Sequence, residues 1–102
     1  MSARQSVIAI IFEVAAAGTA SAAADLELGR YLAQECMTCH RSAMSGSTIP
    51  NIFGMAETAF IQVIKAYRDK RLGNAVMQSI AERLKDDEIE ALAAHFARTT
   101  RP

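Results

Sequence analysis

Cys36-Met37-Thr38-Cys39-His40 is the stretch of this chain that says most about its fold. Its C-x-x-C-H spacing is the signature of covalent c-type haem attachment. Two cysteines three residues apart at the end of a helix can reach the two vinyl groups of one porphyrin and form thioethers. The adjacent His40 then projects over the same ring and can bind the iron through an imidazole nitrogen. The motif predicts one covalent haem c, held by Cys36 and Cys39, with His40 as the first axial ligand.

Other chemistries also use a pair of cysteines at this spacing. The pair could be a thioredoxin-like redox site, a disulfide in an exported protein, or part of a zinc site completed by His40 and His95. A thioredoxin-like site belongs in a β-α-β unit, which this chain lacks. The chain is small, has no tryptophan and has only two cysteines, so its own side chains give it a small hydrophobic core. A zinc ion would not fill that core, whereas a haem would. Haem attachment is therefore favoured, and a non-haem dithiol or metal-binding protein is the less favoured alternative.

The second axial ligand has to come from the opposite side of the ring, and methionine is a common residue there. Met37 lies inside the motif, and Met44 follows His40 too closely to pass around a flat macrocycle. Met55 is far enough along the chain, and Met77 lies beyond a complete predicted helix, in a loop between two apolar stripes. The spacing favours Met77 and leaves Met55 as the alternative.

The first 24 residues have the order of a secretory signal peptide. One basic residue precedes an apolar run, and small residues follow up to Ala24, where cleavage is predicted. Glu13 interrupts the apolar run, which is shorter than the ~18–20 residues of a membrane span. Cleavage after Ala22 is the second candidate position, and a retained anchor and a cytosolic amphipathic helix are the alternatives to cleavage. We expect residues 25–102 to form one periplasmic domain with no membrane span after cleavage, which agrees with the motif because haem c is attached outside the cytosol in bacteria.

The remainder of the chain is typical of an all-α fold with three or four helices. The apolar spacing predicts helices over about 26–35, capped by Asp25, and over about 57–70, ended by Gly73. A short apolar turn over 76–84 leads to a last helix, whose acidic start suits the positive end of the helix dipole. The last helix is predicted to bury one apolar stripe, with residues at i, i+3, i+4 and i+7: Ile89, Leu92, Ala93 and Phe96. No segment shows a sustained period of two, so strands are not expected.

Charge excludes one class of partner. The chain has 11 basic and 11 acidic residues, and no basic patch or stripe of the kind that nucleic-acid binding requires. A neutral chain also has no strong long-range steering field, which slightly favours a fixed protein partner over a freely diffusing one.

Several segments outside the motif add a family resemblance. They are Gly29, Ile49-Pro50-Asn51-Ile52, Tyr67-Arg68, Asn74-Ala75-Val76-Met77 with Ile80-Ala81, and Asp86-Asp87-Glu88-Ile89 through Phe96-Ala97. Together with the C-x-x-C-H motif they resemble the class I monohaem cytochromes c. The chain looks most like the small haem subunit of flavocytochrome c sulfide dehydrogenases and related periplasmic cytochromes. The resemblance covers almost all of residues 25–102.

The resemblance implies a small cytochrome c fold of three to four helices around one haem. It implies that His40 and Met77 are the axial ligands and that the carbonyl of Pro50 accepts a hydrogen bond from His40, which orients the ring. It also implies that Gly29 lets the first and last helices cross closely.

Two residues depart from the family pattern. Arg41 stands where glycine is frequent, and His95 stands where the last helix usually carries a tyrosine. His95 could be a ligand or a pH-sensitive group, but a partly exposed packing histidine is the favoured interpretation. Arg41 and Arg71 could each meet a haem propionate, and solvated side chains are favoured for both.

The function that follows is single-electron transfer. A haem with histidine and methionine ligands has no open site for a substrate, and the soft methionine sulfur favours ferrous iron. We therefore expect a periplasmic electron carrier without catalytic activity of its own, working with redox partner proteins. The alternative is a haem subunit bound to a flavoprotein that oxidises a reduced sulfur compound.

Overall fold

Over the residues that it describes, the computed structural model contains four α-helices: α1 (Val14–His40), α2 (Glu57–Arg68), α3 (Ala75–Glu82) and α4 (Asp86–Ala97). The structure describes the backbone of residues 14–41 and 48–101, and side chains from Asp25 onward within those ranges. These ranges contain no strand, so the expectation of an all-α fold with up to four helices is confirmed. Most of the predicted signal peptide lies outside the described residues, and its cleavage stays a prediction.

Helix α1 is longer than predicted at both ends. It continues past Glu35 through the C-x-x-C-H motif to His40, and Asp25 lies inside the helix rather than capping it. The alanines at 22–24 have the highest helix propensity of any residue type, so the chain needs no cap at Asp25. As a result, the two cysteines and the histidine of the motif lie on one continuous helix.

Helices α1 and α4 cross at Gly29. This glycine is buried, and a Cβ at its position would overlap the carbonyl oxygen of Ala91 and lie 3.1 Å from the Cβ of His95. Only a residue without a side chain allows the two helix backbones to come this close. The close crossing that the family resemblance implies for Gly29 is therefore present.

We expect Gly29→Ala to lower the free energy of unfolding by about 1–3 kcal/mol, because α4 must move away from the new methyl group. This cost outweighs the higher helix propensity of alanine, which is worth about 1 kcal/mol. Gly73→Ala is the matched control, since nothing lies within 4 Å of a Cβ there. Urea denaturation of both variants measures the difference. A Gly29→Ala protein as stable as the wild type would contradict the close crossing.

Helix α2 ends at a Schellman motif centred on Lys70, so the prediction that Gly73 ends it is wrong. The backbone N–H of Lys70 donates to the carbonyl of Tyr67 at 3.0 Å, and that of Arg71 donates to the carbonyl of Ala66 at 2.8 Å. Lys70 has a φ of 62°, in the left-handed region where glycine is the usual residue. These bonds satisfy the last carbonyls of α2 before the chain reaches Gly73.

The position of Lys70 makes a stabilising substitution available. We expect Lys70→Gly to raise the free energy of unfolding by about 0.5–1 kcal/mol, because it relieves the left-handed conformation of an L-residue. The substitution also removes the ion pair with Glu82, but this pair is 4.0 Å long and exposed and contributes little. Lys70→Ala, which loses the same ion pair and keeps the strain, is the control. A lower urea midpoint for Lys70→Gly than for Lys70→Ala would show that the strain is absent.

The segment predicted as a short apolar turn, residues 76–84, forms most of helix α3. It is helical because Asn74 caps its start, with the side-chain Oδ1 accepting a hydrogen bond from the backbone N–H of Met77 at 3.0 Å. Helix α4 begins as predicted, with three acidic residues in its first turn. One of them, Glu88, accepts a hydrogen bond from the backbone N–H of Lys85 at 2.8 Å.

The core forms where α1, α2 and α4 meet. Its largest fully buried side chains are Phe96, Ile89 and Leu92 of α4, which confirms the apolar stripe predicted for that helix. Phe60 of α2 stacks on Phe96 with ring centroids 5.7 Å apart, and Phe53 meets the same ring edge-on at 5.4 Å. Helix α1 packs on α4, and α2 packs on α3 and α4, whereas α1 and α3 have no direct backbone contact. A cavity lies between these two helices.

Candidate functional site

The cavity between α1 and α3 has a volume of about 580 Å³ and a mainly apolar wall. This volume falls within the ~300–1,000 Å³ of typical ligand and cofactor sites. Four parts of the chain form its wall: the end of α1, the segment 48–55, one face of α2 and the start of α3. The backbone N–H of Gly54 donates to the carbonyl of Phe96 at 2.7 Å, which fastens the connecting segment to the end of α4.

The motif residues Cys36, Cys39 and His40 all line this cavity. They stand at positions i, i+3 and i+4 of α1, and residues at these positions share one face of a helix. A single helical turn therefore presents two sulfurs and one imidazole to the same wall. Cys36 is half-buried, Cys39 is exposed, and neither is in a disulfide.

His40 is oriented by Pro50. Its Nδ1 lies 2.9 Å from the carbonyl oxygen of Pro50, which is the contact that the family resemblance implies. A carbonyl oxygen can only accept, so the proton of the neutral imidazole belongs on Nδ1. The lone pair of Nε2 is then available to bind a metal. Pro50 also lines the cavity, so the segment that orients the histidine is part of the same wall.

Two of the methionines considered from the sequence line the cavity. Met77 reaches it from α3 and Met55 from the segment before α2. Met37 lines a second, smaller cavity of about 270 Å³ instead, together with His95 of α4. Met44 lies outside the described residues. Both methionines that the sequence offers as the second axial ligand, Met77 and Met55, therefore line the candidate site.

The wall of the cavity includes two polar residues, Glu35 and Asn74, to which sequence reasoning assigned no role in the site. Glu35 is the one carboxylate among the described lining residues, and its Oε2 pairs with Arg83 at 2.9 Å, which joins α1 to the end of α3. Asn74 lines the cavity at the opposite end of α3. An asparagine three residues before Met77 at the start of an apolar run is an N-cap signal, so Asn74 was detectable. Nothing in the sequence near Glu35 indicates its partner.

The environment of Cys36 does not suit a nucleophilic thiol. Burial raises the pKa of Cys36 to about 11, and the negative charge of Glu35 adds to the shift. The motif lies at the carboxyl end of α1, where the helix dipole also disfavours a thiolate. Reactive dithiols have lowered pKa values, frequently at helix N-termini. A thioredoxin-like site has its cysteines at a helix N-terminus with a lowered pKa, whereas this motif lies at a helix C-terminus and the pKa of Cys36 is raised.

His95 lies apart from the motif. It lines the smaller cavity with Met37, and its ring meets Phe96 edge-on at a centroid distance of 5.0 Å. Burial lowers the pKa of His95, and the positive charge of Arg30 acts in the same direction. His95 is half-buried, in agreement with the packing role expected for it. Within residues 25–41 and 48–101, no group of three or more His, Cys, Asp or Glu side chains is arranged to hold a metal ion.

The two arginines considered as haem-propionate partners are both exposed, as expected. Neither Arg41 nor Arg71 lines the cavity, and Arg71 pairs with Asp69 at 3.5 Å.

Comparison with known proteins adds no family assignment. No family model matches this chain, and no curated protein is significantly similar to it in sequence. Of the helices that the structure describes, none has the length and apolar character needed to cross a membrane.

Proposed function

We propose that this protein is a small c-type cytochrome that transfers single electrons through one covalently bound haem c. Cys36 and Cys39 would hold the haem, and His40 and Met77 would be its axial ligands. The observation that carries the proposal is that α1 and α3, which do not pack on each other, bring these four residues to one apolar cavity.

The residues of the cavity fit a haem by their chemistry. Imidazole and thioether are the axial pair of cytochromes c, and the two cysteines follow the attachment spacing. The wall is mainly apolar, as the flat and largely apolar porphyrin requires, and the tautomer of His40 fixed by Pro50 leaves Nε2 free to coordinate. The crossing of α1 and α4 at Gly29 further supports a small cytochrome c fold around this cofactor.

When bound, the haem supplies a one-electron couple between ferric and ferrous iron. The thioether of Met77 favours the ferrous state, so it raises the reduction potential. Side chains such as Ile52, Ile64 and Ile80 keep water from the cavity. His40 and Met77 would both bind the iron, so no position would remain for a substrate. Electron transfer without catalysis is therefore the proposed activity.

The proposed place of action is the periplasm, after removal of residues 1–24. Covalent attachment of haem to the motif requires export in bacteria, so the signal peptide and the motif support each other. Mass determination of the mature protein tests this part of the proposal, and a chain that retains its first 24 residues would overturn the predicted cleavage.

A second candidate is a haem subunit bound to a flavoprotein dehydrogenase for a reduced sulfur compound. The chain has 11 basic and 11 acidic residues and therefore no strong long-range steering field, which favours a fixed protein partner over a freely diffusing one. Purification from the native host separates the two candidates. A stoichiometric flavoprotein that stays bound through size exclusion supports the subunit, and a monomeric cytochrome supports the free carrier.

The experiment that tests the haem itself is a pyridine haemochrome spectrum. The chain is produced with export and haem-maturation machinery, and loose haem is removed by acidic organic extraction. We expect a c-type spectrum at one haem per chain. A known c-type cytochrome matured in the same host is the control. A colourless chain beside a mature control would overturn the proposal and leave the cysteines as a dithiol, a disulfide or a metal pair.

A further inference from the structure

The first turn of α3 carries Met77 and is capped by a single side chain. Asn74 is the N-cap, and its Oδ1 accepts the backbone N–H of Met77 itself, at 3.0 Å. The φ of Asn74 is 171°, an extended conformation that any residue adopts. The backbone conformation therefore does not require asparagine here, and Asn74 contributes to α3 through the hydrogen bond that its side-chain oxygen accepts.

A second side-chain hydrogen bond, from Gln78, holds the same turn and does not include Met77. The side-chain amide of Gln78 donates to the carbonyl of Leu72 at 2.9 Å, and the backbone N–H of Gln78 donates to the carbonyl of Asn74 at 2.9 Å. The loop before α3 thus has two side-chain attachments, one through Asn74 and one through Gln78. Only the first includes the backbone of the proposed ligand.

The two ends of α3 are held unequally. Towards its carboxyl end, Ala81 is fully buried and Arg83 pairs with Glu35 of α1. At its amino end, Ala75 is exposed and Val76 is 60% exposed. The first N–H groups of a helix have no partner within the helix, so an exposed first turn frays unless it is capped. Met77 lies on the turn of α3 with the least burial to hold it.

From this geometry we propose that Asn74 is the positioning residue for Met77 and controls how readily an external ligand replaces it. The inference rests on the proposed role of Met77 as an axial ligand. Loss of the cap leaves the N–H of Met77 unpaired and frees the first turn to open. The thioether then leaves its position more often, and the competing ligand binds with higher apparent affinity.

Titration of the oxidised, haem-containing protein with imidazole tests the proposal. We expect Asn74→Ala to bind imidazole about fivefold more tightly than the wild type, the factor that corresponds to a typical N-cap contribution. Asn74→Ser restores a capping oxygen and is expected to return the affinity to near the wild-type value. Gln78→Ala removes the other attachment and is expected to change the affinity less than Asn74→Ala does, because the hydrogen bond it removes does not include the backbone of Met77. Haem content is measured for every variant by the pyridine haemochrome spectrum.

Each outcome separates this inference from the proposed function. A wild-type chain without covalent haem overturns both together. A haem-containing Asn74→Ala protein with wild-type imidazole affinity overturns the positioning role alone. An equal gain in affinity for Gln78→Ala and Asn74→Ala overturns it as well, because general loosening of the loop would then explain the result. The selective gain, rescued by serine, supports it.

Discussion

The double variant Cys36→Ala/Cys39→Ala is expected to keep no haem after acidic organic extraction, whereas the wild type keeps one haem per chain. Both sulfurs line the cavity from the last turn of α1, and they are the chain's only cysteines. No other side chain can form a thioether to a vinyl group, so covalent attachment ends when both are removed. The pyridine haemochrome spectrum of the extracted protein measures the difference.

Thr38→Ala is the matched control for the cysteine pair. Thr38 lies between the two cysteines on the same turn and is exposed, so its loss changes the turn without removing a sulfur. We expect this variant to retain its haem fully. Each single variant, Cys36→Ala or Cys39→Ala, leaves one sulfur and is expected to attach less haem than the wild type. Undiminished covalent haem in the double variant would contradict the role of the motif.

Met77→Ala is expected to leave the haem attached and to open the sixth coordination position. The cysteines and His40 are on α1 and stay in place, while the side chain removed comes from α3. The reduced variant should therefore bind one carbon monoxide per chain, which the reduced wild type should not. Its reduction potential should fall, since the soft sulfur that favours ferrous iron is gone. Carbon monoxide difference spectra and a redox titration measure the two effects.

Met55→Ala is the control that decides between the two methionines. Both side chains line the cavity, so general loosening of its wall should affect both variants alike. We expect Met55→Ala to behave as the wild type towards carbon monoxide. If carbon monoxide binds to Met55→Ala and not to Met77→Ala, the axial role belongs to Met55. Unchanged behaviour of both variants would remove methionine ligation from the proposal.

Much of the candidate site could be read from the sequence because its chemistry is local. The motif residues lie within one helical turn, so their spacing alone predicts that they share a face. The apolar stripes of α2 and α4 likewise follow from the helical period, and their burial in the core agrees with it. The hydrogen bond between His40 and Pro50 bridges ten residues of chain, and it was expected only through the family resemblance.

Helix boundaries were the least predictable part of the fold. Helix α1 runs past Asp25 and Glu35 because no residue there breaks it, and α2 ends at Arg68, followed by the Schellman motif at Lys70, before the chain reaches Gly73. Capping depends on hydrogen bonds that compete within a few residues, and single residue types predict their outcome poorly. The same reason applies to α3, which forms from a segment that was expected to be a turn.

The sequence by itself determined the helical class, the C-x-x-C-H spacing, and the two methionines, Met77 and Met55, that are proposed for the second axial position, since these depend on residue type and spacing. Only the tertiary structure decided which side chains share the cavity. It joined Glu35 to Arg83, brought Asn74 and both methionines to the wall, and set His95 apart with Met37. These contacts depend on how α1 crosses α4 at Gly29 and on how α3 lies on the opposite side of the cavity from α1. The residues that make these contacts are far apart in the sequence, and the spacing of apolar residues along one helix does not predict which distant residues will meet.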